Sequence, residues 1–174
     1  MLRSDLSPFS REPVAVYVGG CRVMVPWHPA AVWMQNLPYI HSVASRLAAE
    51  ADRERLVDEV MRMHGAAAAL RAESLRLLEH ATDRRWWAAG RLMSTSASPD
   101  VLGRLTLAGV DPWTRSIGEW CAATYALCVK GQDEKGRLKF DFQLSVPPAG
   151  YEDEWDDEGD DPAAIQDAIA KMMG

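Results

Sequence analysis

The chain has 174 residues, 48% of them apolar and seven of them Trp, with a formal net charge of −6. That is enough for one globular domain with a real core, plus a tail. No apolar run approaches the roughly 20 residues of a membrane span, and an acidic balance argues against a nucleic-acid partner, which basic patches recognise. The start, Met1-Leu2-Arg3-Ser4-Asp5, shows no secretory signal. The three cysteines, Cys21, Cys121 and Cys128, lack a CxxC spacing and read as free thiols of a reducing cytoplasm.

After an irregular arm over 1–12, residues 14–18 and 21–25 are β-branched on both sides of Gly19-Gly20. This predicts a two-residue β-hairpin whose glycines supply the positive φ of a tight primed turn. Pro26-Trp27-His28-Pro29 ends the second strand, and Pro29 suits the first turn of a short helix running to about Leu37, where Pro38 stops it. Over 42–82 the residues Leu56, Val60, Met63, Ala67, Leu70, Ser74 and Leu77 step by four and three, a heptad-like helical seam. Gly65 is either tolerated in one long helix or breaks the segment into two closely packed helices, and the second reading is favoured.

Asp83 is expected to cap a helix containing Trp86, Trp87 and Leu92, and 94–99 to form a loop. Residues 100–108 read as a short helix or turn ending near Gly109. Asp111-Pro112 is expected to open the next helix, with Trp113, Ile117, Trp120, Cys121, Thr124, Leu127 and Cys128 as its apolar stripe and Gly131 as its end. Residues 138–146 are apolar at every even position, which admits a third strand beside the hairpin. Residues 152–161 are acidic at eight of ten positions, which leaves the rest of the chain near +2. Self-repulsion and carboxylate solvation predict a disordered acidic C-terminal tail. An amphipathic segment with Ala163, Ile165, Ala168, Ile169 and Met172 follows, too short for a stable helix by itself. The expected fold class is therefore mainly α, a helical domain over 1–150 with a small N-terminal β-hairpin, followed by an acidic linker and short helix over 151–174.

No catalytic signature emerges. His28, His41, His64 and His80 form no HxxxH or HExxH pattern. A calcium loop counted from Asp153 or Asp156 lacks Gly at its sixth and Glu at its twelfth position. Gly19-Gly20 is too short to cradle a phosphate, and no GxSxG elbow is present. The expectation is a protein with no enzymatic activity, no cofactor and no metal. Trp33, Trp86 and Trp120 read as core. Trp27 and Trp113, each beside a proline, read as a partner surface. Trp155 inside the acidic stretch, with Ile165 and Ile169 in the terminal segment, completes the set of candidate contact residues.

Three stretches carry a resemblance: Arg85-Trp86-Trp87-Ala88-Ala89-Gly90-Arg91-Leu92, then Gly103-Arg104-Leu105-Thr106-Leu107-Ala108-Gly109-Val110-Asp111-Pro112, then Trp120-Cys121-Ala122-Ala123-Thr124-Tyr125-Ala126-Leu127. Over roughly 14–130 the chain resembles tail assembly chaperones of siphophages that infect actinobacteria: a strand-rich start, a helical middle, a double-Trp helix, a Gly-Val-Asp-Pro turn, then a helix with Trp and Tyr. The resemblance implies a role in the host cytoplasm without catalysis. Such proteins are thought to bind the aggregation-prone tape measure protein and to recruit tail tube subunits around it, and they are absent from the finished virion. Many exist in a short form and a longer, frameshifted one, and the acidic tail would sit near that junction. The oligomeric state is left open. Three other readings stand beside it: a permanent head–tail connector or tail completion protein, an acidic mimic of nucleic acid, and an enzyme. The contiguity of the charges counts against the mimic, and nothing in the sequence supports the enzyme.

Overall fold

The computed structural model describes residues 11–151. The acidic stretch and the terminal segment, with Trp155, Ile165 and Ile169, lie outside the described residues. These residues form two compact units, one ending at Leu127 and one beginning at Cys128. The architecture is mainly helical, with one two-stranded antiparallel sheet at the N-terminal side.

Strands β1 (Val14–Val18) and β2 (Cys21–Val25) pair as the hairpin expected from sequence, Val18 opposite Cys21 and Val14 opposite Val25. Gly19 takes φ 59, the left-handed value that the first central position of a II′ turn requires. Val16, Val18, Cys21, Val23 and Val25 are buried, while Tyr17 and Arg22 face outward. The alternation of period two thus gives the hairpin one core face.

Helix α1 (Ala30–Gln35) begins after Pro29, as expected, and gives way to a 3-10 turn over Leu37–Ser42. Three helices then cover 43–82: α2 (Val43–Leu47), α3 (Glu50–Arg62) and α4 (Ala66–Thr82). Gly65 breaks α3 from α4 with φ 86, so the favoured two-helix reading of this region holds at that elbow. The seam is not continuous. Leu56, Ser74 and Leu77 are buried, but Met63 and Ala67, on either side of the break, are exposed. Helix α3 packs against both strands and α4 against β1, which covers the core face of the hairpin.

Asp83 does not cap the next helix. It ends α4 in the left-handed conformation, φ 52, and the N–H of Trp86 donates instead to the Glu79 carboxylate (3.1 Å). Helix α5 (Trp86–Ser96) runs through the first half of the expected loop, leaving only Ala97 and Ser98 before α6 (Pro99–Leu107). Trp86 and Trp87 are both buried, edge to face with centroids 5.7 Å apart. Helix α6 closes in a Schellman motif: Val110 N–H donates to Leu105 O, Gly109 N–H to Thr106 O, and Gly109 adopts φ 76.

Helix α7 spans Ile117–Val129, so its start lies beyond the expected Asp111-Pro112. Ser116 and Glu119 form a reciprocal capping box: the Glu119 N–H donates to Ser116 Oγ (3.1 Å) and the Ser116 N–H to Glu119 Oε2 (2.8 Å). Two orphan amides are satisfied there, which is why the helix begins at that point. Trp120 is fully buried, and its Nε1 donates to Ser96 Oγ at 2.8 Å.

In the second unit the third strand is replaced by helix α8 (Glu134–Ser145). Asp133 is its N-cap, accepting from Gly136 N–H at 2.8 Å, and Arg137 and Asp141 pair one turn apart at 3.7 Å. The even-numbered apolar residues that suggested a strand also recur at i, i+4, Leu138 with Phe142 and Phe140 with Leu144, so the pattern suits a helix equally well.

Candidate functional site

The first N–H groups of a helix have no intrahelical acceptor, and Pro29 offers α1 no side-chain cap. The connection between α6 and α7 supplies the acceptors. Ala30 N–H donates to Arg115 O and Ala31 N–H to Pro112 O, both at 2.9 Å. The connection is itself held by Asp111. Its Oδ1 accepts from Trp113 N–H at 3.0 Å, and its backbone oxygen accepts from the N–H groups of Thr114 and Arg115, both at 3.1 Å. This is an Asx turn, the local geometry that short acidic side chains impose. The capping box of α7 follows directly, so the backbone from Asp111 to Glu119 is tied at both ends.

Trp113 rides on this loop with 59% of its surface exposed. Leu107, at the end of α6, is 90% exposed. Trp27 flanks the same junction from the other side. It is half-buried, and its Nε1 is buried with no hydrogen-bond acceptor among the described residues. Arg11 links the two sides: its guanidinium lies 5.0 Å from the Trp27 ring centroid, and its Nη2 donates to Thr114 O at 3.2 Å. Of the sequence candidates, the structure therefore sets Trp27 and Trp113 on one α1–loop junction, Trp113 accessible and Trp27 largely spent on its own surroundings. Arg11 and Leu107 escaped sequence reasoning. Arg11 sits in an arm without pattern, and Leu107 looks like any helical leucine. The Ser116-x-x-Glu119 spacing was a readable signal for the start of α7.

Electrostatics at the junction are mild. The backbone N–H of Ser116, with smaller help from Arg115 at 3.3 Å, holds the Glu119 carboxyl below its usual range. Elsewhere, His28 Nε2 lies 2.8 Å from Leu47 O, a structural contact. His41 stands edge to face with Trp86 at 5.7 Å, and burial, then the charge of Arg71, lowers its pKa. Burial pushes the Cys121 thiol up to about 12, which suppresses thiolate chemistry. Among the described residues no group of three or more His, Cys, Asp or Glu is placed to hold a metal ion, and no helix is long and apolar enough to cross a membrane. What this arrangement can do is present an aromatic on a tied loop to another surface.

No protein family, curated protein or solved structure matches this chain.

Proposed function

We propose that this protein is a non-enzymatic tail assembly chaperone that binds a tape measure protein and helps to recruit tail tube subunits, working in the host cytoplasm. The observation that carries the reading is Trp113, exposed on a loop whose backbone is tied by Asp111 on one side and by the capping box on the other. An aromatic anchor ordered in advance loses little entropy on binding. That loop contains the Gly-Val-Asp-Pro turn on which the resemblance rests. The double-Trp stretch is α5, and the Trp and Tyr stretch lies on α7. An amphipathic helix of the tape measure protein is a suitable partner for such an apolar surface. The acidic stretch 152–161 would keep the complex soluble and favour basic patches on the partner.

The test is co-expression of the full chain, a 1–150 truncation and Trp113→Ala, each with a tape measure protein from the same genome. Soluble co-purification with the full chain and its loss with Trp113→Ala support the reading. Loss on truncation adds the terminal segment to the binding surface. Absence of co-purification with any form removes the reading. Presence of the protein in purified mature particles, read by mass spectrometry, replaces it with a permanent connector or completion protein.

A further inference from the structure

The two edges of the hairpin differ. Because Gly19-Gly20 is the whole loop and Val18 pairs with Cys21, the N–H and C=O groups of Val14, Val16 and Val18 point toward β2. Those of Ala15 and Tyr17 point away, as do those of Arg22 and Met24 on the other strand. The β2 edge is closed at Met24: its N–H donates to Asp52 Oδ2 at 2.8 Å, and its oxygen accepts from Ala49 N–H at 2.9 Å, both groups at the start of α3. On the β1 edge, no group among the described residues bonds the outward N–H or C=O of Ala15 or Tyr17. Such an edge is a template for another strand.

We infer that the occupant is a second copy of this chain, its β1 lying antiparallel to this β1 about a two-fold axis at Val16, so that two hairpins make one four-stranded sheet. The segment Val14-Ala15-Val16-Tyr17-Val18 carries no charge, so it meets no like charge when it faces itself. In this register the small Ala15 lies opposite the second copy's Tyr17, and Tyr17 opposite the second copy's Ala15. Each such pair exchanges both of its N–H···O=C bonds. Tyr17 is 58% exposed, so its ring is available to cover the facing alanine. On the core face Val16 meets Val16 and Val14 meets Val18, which continues a β-branched surface. Pro13, at the next outward position, has no N–H and ends the ladder. The usable edge is thus no longer than β1, which β1 itself matches. This contact is isologous, as closed dimers require, and it does not depend on the chaperone reading.

The experiment is sedimentation of the full chain from low to high micromolar concentration, alongside Ala15→Pro and Tyr17→Lys. Ala15→Pro removes an outward N–H without touching the β1–β2 ladder. Tyr17→Lys puts a charge on an exposed position that no core contact uses; because the new lysine faces Arg22 across the hairpin, far-UV circular dichroism checks that it, like Ala15→Pro, stays folded. The expected result is a concentration-dependent dimer of the full chain and at least a tenfold loss of dimer affinity in each variant. A full chain that stays monomeric throughout overturns the inference and leaves the edge to a strand of another protein. A dimer that survives unchanged in Tyr17→Lys also overturns it and places the interface elsewhere.

Discussion

The α6–α7 connection and the α3–α4 elbow both push apolar side chains into solvent, but they hold them differently. At the elbow, Val57, Met61 and Met63 are 56%, 82% and 45% exposed. The turn beneath them is a backbone break at Gly65 that serves α4 as an N-cap with no side-chain hydrogen bond. In the connection, Trp113 sits on a loop in which Asp111, Ser116, Glu119 and the N-terminus of α1 account for one backbone group after another. Flexible thioethers beside a turn that no side chain caps make an adaptable surface. A stiff aromatic on a tied loop makes a specific one. Exposure alone does not separate the two regions, and the side-chain hydrogen bonds that tie the backbone do.

Binding measurements separate the two regions most directly. On the proposed function, Trp113→Ala should weaken binding of the tape measure protein by about 2 kcal/mol, roughly thirtyfold, with little change in thermal unfolding. Met61→Ala at the elbow should change it by less than about 0.5 kcal/mol. Calorimetric titration reads both, and equal effects would erase the distinction. Next in size are the turn glycines. Gly65 and Gly109 both have positive φ, 86 and 76, and a Cβ added at either meets nothing within 4 Å. Gly65→Ala and Gly109→Ala should therefore each cost about 1–2 kcal/mol in denaturant unfolding, from backbone strain alone. A much larger cost at Gly109 would show that its hydrogen bonds fail with the turn.

Ser116→Ala should cost about 1 kcal/mol in the same measurement, by removing one half of the capping box. The elbow has no equivalent residue to remove. The smallest effect is on pH dependence. Because the folded Glu119 carboxyl titrates below the ordinary 4.5, its contribution is present above that pH and is lost as pH falls through the lower folded value. Glu119→Gln should flatten that part of the acid limb of a stability–pH curve. Identical limbs in wild type and Glu119→Gln would mean that the carboxylate does not contribute through its ionisation.

Several elements were settled by neighbouring residues alone. Gly19-Gly20 between β-branched runs makes a hairpin, Gly65 interrupts a helical seam, Pro29 introduces a helix and Gly109 closes another, because each acts through its own φ or its own missing N–H. The mainly helical class with one hairpin followed from those signals. Where a residue had two local uses, the choice was made elsewhere. Asp83 ends a helix because Glu79 already serves the next one, and Asp111-Pro112 forms a loop because the Ser116 box starts α7 later. In 138–146 the apolar spacing fits both periods, and the Asp133 cap accompanies a helix. The junction of Trp27 with the Trp113 loop was beyond sequence reading. It exists because orphan N–H groups of α1 find carbonyls more than eighty residues away and because Arg11 reaches Thr114 across 103 positions. Pairings of that kind leave no local pattern, since the two partners become neighbours only when the core between them has formed.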